Sequence, residues 1–171
     1  MARMTSVSPI VVDHFKTLRS ARDNSFLWPD FAVLYGIPIV VVVWSCLVRW
    51  ELHGISDILV AVSLLAGLLF NLLVPVFEIA NKAKGDGFNV TAGVGEYSNR
   101  AVFIRHLYSN ISYAILVALS LGAIFGGAAA LGSDHLGAYF SGVVAGLLVH
   151  FILMLGAILK RMRAAFLNES R

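Results

Sequence analysis

The sequence predicts an all-α integral membrane protein, a four-transmembrane-helix bundle with an N-terminal amphipathic helix and both termini in the cytoplasm. Three observations predict it. Of 171 residues, 58% are hydrophobic and only 13% are charged, against about 25% charged in a soluble domain. Mean hydropathy is +0.82. The apolar residues fall in blocks free of Asp, Glu, Lys and Arg at 31–48, 58–77, 111–133 and 136–159. Each block is long enough to cross roughly 30 Å of hydrocarbon as a helix, allowing for tilt. The basic residues, finally, crowd one set of connections. This composition excludes disordered, collagenous and disulfide-framework classes, and the length leaves no room for a separate catalytic domain. Cys46, alone, makes neither an internal disulfide nor a multi-cysteine metal site.

Residues 1–30 form a cytoplasmic N-terminal segment with no apolar core before a small-residue cleavage site, so no cleaved leader is expected. Ser8-Pro9 reads as an N-cap followed by proline at the first helical position. Ile10, Val11, Phe15 and Leu18 recur near helical spacing, with Asp13, Lys16, Arg19 and Arg22 holding much of the remainder. The pattern is an amphipathic helix lying on the membrane or on the bundle. Trp28 suits the interface, and Pro29-Asp30 precedes the first span.

The spans are expected at about 31–48, 57–79, 110–131 and 138–159, as helices, because no block shows the sustained alternation of a barrel strand. Arg3, Lys16, Arg19 and Arg22 precede span one, and Lys82, Lys84, Arg100 and Arg105 lie between spans two and three. Lys160, Arg161, Arg163 and Arg171 follow span four, in the basic tail 160–171. The first hairpin carries only Arg49 and the second carries no basic residue. This positive-inside bias puts both termini and the central loop, 81–100, in the cytoplasm. The sequons at Asn89, Asn110 and Asn168 then go unused. Gly85-Asp86-Gly87, Gly93 and Gly95 favour turns in that loop, and from Glu96 a helical pattern extends span three inward.

Span two carries a polar stripe. Ser56, Ser63, Gly67, Asn71, Glu78 and Lys82 share one side of a 3.6-residue helix, opposite Leu65, Leu69, Leu72 and Val76. Lipid offers no hydrogen bonds, so the stripe faces protein or water. It lines a pore, with Ser63, Gly67 and Asn71 along it, Glu78 near the inner mouth and Pro75 as a hinge; or its polar groups fasten a neighbouring helix. Span three has Gly122 and Gly126 between Ala118 and Ala130 at four-residue intervals, and span four has Gly142, Gly146 and His150. Small residues at that spacing let backbones approach, within or between chains. His150 is a proton or ligand site, or a satisfied packing residue.

No catalytic, cofactor-binding or metal-ligating set is found, and an enzyme is not expected. Redox cysteine pairs are missing, only His150 of five histidines lies within a span, and no Ser/His/Asp or HExxH pattern occurs. The basic residues Lys82, Lys84, Arg100, Arg105, Lys160 and Arg161 serve topology and attraction to anionic lipid. In a cyclic homo-oligomer, a tetramer being favoured, they also become rings that select anions or hold a polyanion. Phe88, Tyr97, Phe103 and Tyr108 lie among them, able to stack on bases.

With Ile58-Leu59-Val60-Ala61 in span two, Arg105 to Tyr108 leading into span three, and His150 ahead of the apolar run to Lys160, the chain resembles small four-span anti-phage membrane effectors. These are the RexB-type abortive-infection channels and the effector of the Hailong system. The stretch 84–95 is longer than the RexB-type connection. The resemblance implies an oligomeric channel of the bacterial inner membrane that depolarises it on infection. The Hailong type implies anion selectivity and closure by DNA oligomers from a partner nucleotidyltransferase, with the N-terminal segment, Phe15 and Leu18 included, as plug or gate. The leading expectation is thus a homo-oligomeric, ligand-controlled ion channel. A non-conducting scaffold for a soluble partner and a holin-like non-selective pore are the alternatives.

Overall fold

The computed structural model describes residues 8–17, 31–85 and 94–169. Ser8 and Pro9 open α1, Ser8–Thr17. A π-helical turn, Ala32–Gly36, runs into α2, Ile37–Val48. Three long helices follow: α3, Ile55–Gly85, α4, Val94–Ala130, and α5, Ala138–Glu169. Two short strands, β1 (Leu52–His53) and β2 (His135–Leu136), sit between α2 and α3 and between α4 and α5. Within the long helices, Ile55–Glu78, His106–Ala130 and Ala138–Arg163 are long and apolar enough to cross a membrane, and Ala32–Val48 is a shorter apolar helix. Helix therefore occupies much of the expected loop 81–100, leaving 86–93 between α3 and α4, and α3 continues unbroken through Pro75.

Pro38 explains the π turn. In an α-helix the Leu34 carbonyl takes the N–H of residue 38, but proline has none and its ring presses on that oxygen. The backbone widens over Ala32–Gly36 instead, turning the Leu34 carbonyl loose for another partner. At its far end α2 stops in a Schellman arrangement, with the Trp50 N–H on the Ser45 carbonyl (3.1 Å) and the Arg49 N–H on Cys46 (3.4 Å). Arg49 takes the left-handed conformation, φ 52°. Helix α4 ends the same way: Ser133 N–H meets Ala128 and Gly132 N–H meets Ala129, both at 3.0 Å, with Gly132 at φ 71°.

The two connections then meet. β1 pairs antiparallel with β2, Leu52 opposite Leu136 and His53 opposite His135. Fully buried Ser141 in the first turn of α5 bolts them together. Its hydroxyl donates to the Leu136 carbonyl at 2.7 Å and accepts from the Leu52 N–H at 2.9 Å. Consequently α2 and α4 run one way and α3 and α5 the other. Replacing Ser141 with alanine strands both backbone groups, and should cost roughly 2 kcal/mol in detergent unfolding.

The helices pack side by side, α3 on α4, α4 on α5 and α5 on α2, with α1 against α4. Val62, Leu69 and Val76, seven residues apart, seat α3 on a core built from Ile111, Leu121 and Phe125 of α4 and Val144, Phe151 and Met154 of α5. The two small-residue pairs have different fates. Gly142 and Gly146 lie against α2: a Cβ on Gly146 would collide with Val42 and stand 3.0 Å from the Pro38 carbonyl. A Cβ on Gly122 or Gly126 would meet nothing within 4 Å among the described residues, so neither packs closely against them. The outer faces are greasy: Val40, Trp44 and Leu47 of α2 and Val60, Leu64 and Leu68 of α3 are all exposed. Apolar surface this continuous is unstable in water and suits lipid.

Candidate functional site

The first site is the outer face of α3. Ser63, Gly67, Asn71 and Glu78 are all exposed. At about 100° per residue they lie on the side of the helix away from Val62, Leu69 and Val76. Ser56 continues the row, and a Cβ on Gly67 would meet nothing within 4 Å. The structure thus gathers all four pore-lining candidates on one face that the described chain leaves open, where they alternate with the exposed Val60 and Leu64. Pro75 is exposed on the same helix.

A second constellation lies among α1, the π turn, α4 and α5. The His150 Nδ1–H donates to the Leu34 carbonyl at 3.0 Å, which is the oxygen that Pro38 leaves without its helical donor. Nε2 of that ring pairs with the Tyr113 hydroxyl at 3.2 Å. The other face of Tyr113 carries His14, stacked at 4.1 Å and within 5° of parallel. His14 Nδ1–H donates to Asn110 Oδ1 at 2.9 Å. Tyr35 fills the remaining side, 5.1 Å from the His150 ring and stacked at 5.7 Å under Phe15. Its hydroxyl is buried near that of Tyr113 without a well-formed hydrogen bond. Burial pushes the His14 imidazole down to about 4; the bond to Asn110 pulls it up, and nearby His150 and Arg161 add to the fall. His14 is therefore neutral at pH 7, and among the described residues aromatic rings and hydrogen bonds fasten α1 to the bundle.

This arrangement changes the reading of two residues. On α1 the deepest side chain is polar His14, 1% exposed, while Phe15 is 42% exposed at the margin. His150 is buried with both ring nitrogens engaged. Tyr35, Asn110 and Tyr113 were not singled out from sequence as site residues, although polar side chains inside apolar blocks are a usable signal. Of the basic candidates, Lys160 is exposed and Arg161 half-buried on α5. Lys82 and Lys84 fall at the end of α3, and Arg100 and Arg105 near the start of α4. Their side chains, and Leu18, lie outside the described residues.

Three long apolar helices, a lipid-compatible surface and a polar row on one helix define a helical membrane protein. No family model matches the chain, and no curated protein or solved structure is significantly similar to it.

Proposed function

We propose that this chain is the subunit of a homo-oligomeric ion channel, with α3 lining the conduction path. One observation carries the reading: Ser63, Gly67, Asn71 and Glu78 point out of the bundle along the otherwise apolar stretch 58–78 of α3. An amide turned toward hydrocarbon is costly, so that face requires water or further copies of the chain. The outer face of α2 is apolar and suits lipid, so copies arranged in a ring keep their α3 rows inward and their α2 faces outward. In this reading Ala32–Val48 is a fourth crossing. Both termini and the 86–93 connection are cytoplasmic, and the membrane is the bacterial inner one. Lys160 and Arg161, with the other basic residues of that end, favour anions and an anionic cytoplasmic regulator such as a nucleotide or short DNA oligomer. A depolarising role in anti-phage defence rests on the resemblance alone.

The test is purified protein in a planar bilayer under a KCl gradient, with and without short single-stranded DNA. Discrete currents reversing near the chloride potential and suppressed by DNA are expected. Asn71→Leu should lower unitary conductance severalfold; an unchanged current in the folded variant overturns the assignment of α3. Cation-biased current would remove the basic-ring argument, and silence from inserted protein would favour the scaffold.

A further inference from the structure

We propose that His53 and His135 form a two-histidine clip for a divalent transition-metal ion of the zinc type at the loop end of the bundle. The two residues are direct cross-strand partners in the β1–β2 pair. Both side chains are exposed and lie on the same side of the ladder, opposite the buried Leu52 and Leu136. Their ring centroids are 5.9 Å apart, tilted by 31°. Two imidazoles sharing a tetrahedral ion, with metal–nitrogen bonds of about 2.0 Å, have centroids about 5 Å apart. The observed separation is within about 1 Å of that figure.

The backbone beneath is already fixed. Ser141 holds Leu52 and Leu136 together from below, and the left-handed Arg49, Gly54 and Gly132 set the turns on either side. Preorganisation of this kind separates a ligand pair from two histidines that happen to be close. Imidazole selects zinc, copper or nickel over the hard cations calcium and magnesium. No group of three or more His, Cys, Asp or Glu converges among the described residues, so water completes the coordination and the ion is exchangeable. When bound, it ties the α2–α3 connection to the α4–α5 connection.

Untagged protein in detergent, dialysed against graded Zn2+, decides the matter together with Cu2+ electron paramagnetic resonance. One zinc per chain is expected, with a copper spectrum showing two equatorial nitrogens. His53→Gln or His135→Gln should weaken zinc binding roughly tenfold or more and reduce the copper signal to one nitrogen. Unaltered helical signal and elution volume show that these exposed substitutions leave the fold intact. Zinc uptake in the double variant equal to wild type would overturn the proposal. So would a wild-type copper spectrum with one nitrogen or none, a readout that needs no variant.

Discussion

Replacing Gly146 with leucine should unfasten α2 from α5 and cost about 3 kcal/mol or more of stability. The position has no slack. A Cβ alone would run into the Val42 side chain, which can rotate, and approach the Pro38 carbonyl at 3.0 Å, which cannot move without moving the helix. Pushing α2 outward also stretches the bond from His150 to Leu34, one turn further along the same interface. SDS titration in mixed micelles reads the loss. Gly142→Ala should be milder, because its nearest obstacle is the Cys46 sulfur at 2.8 Å, the end of a side chain that can swing away. Gly122→Ala, with open space, is the control and should stay within about 0.5 kcal/mol. Equal effects at Gly122 and Gly146 would contradict the packing of α2 on α5.

Acid should release α1 from the bundle. His14 sits near pKa 4 when docked against an ordinary value of 6.5, so the docked state binds fewer protons between those values. Docking is therefore at full strength above about pH 6.5, weakens up to tenfold per pH unit below it, and levels off near pH 4, a total of roughly 3 kcal/mol. Hydrogen exchange of α1 amides across pH 7 to 4, corrected for intrinsic rates, measures it. Asn110→Leu should loosen α1 at every pH, by removing the acceptor of the 2.9 Å bond. His14→Phe keeps a ring over Tyr113 and should abolish the pH dependence; an unchanged profile in that variant would assign the transition to some other group.

The helices were legible because each states itself locally. An uncharged block announces α3, α4 or α5, Ser8-Pro9 announces α1, and a 3.6-residue period separates the polar and buried rows of α3 with no knowledge of its neighbours. The cluster around Tyr113 was not legible, because it joins residues separated by 37, 96 and 116 positions, and periodicity carries no information at that range. Pro38 lies between these cases. A proline four residues after Leu34 shows that a carbonyl loses its donor, while which helix supplies the replacement is decided by packing. Gly122 and Gly142 sit in similar small-residue patterns, yet among the described residues only Gly142 is covered. Composition tells that a helix can be approached closely, and the arrangement of neighbours decides whether it is.

The orphaned Leu34 carbonyl also has a meaning in time. Ribosomes deliver α2 before α3, α4 and α5, yet its main neighbour is α5. Until His150 is synthesised, 116 residues after Leu34, this helix has neither its hydrogen-bond donor nor the glycine groove that accepts it. A nascent chain must hold this segment in a provisional state through the making of α3 and α4, and α5 is what completes α2.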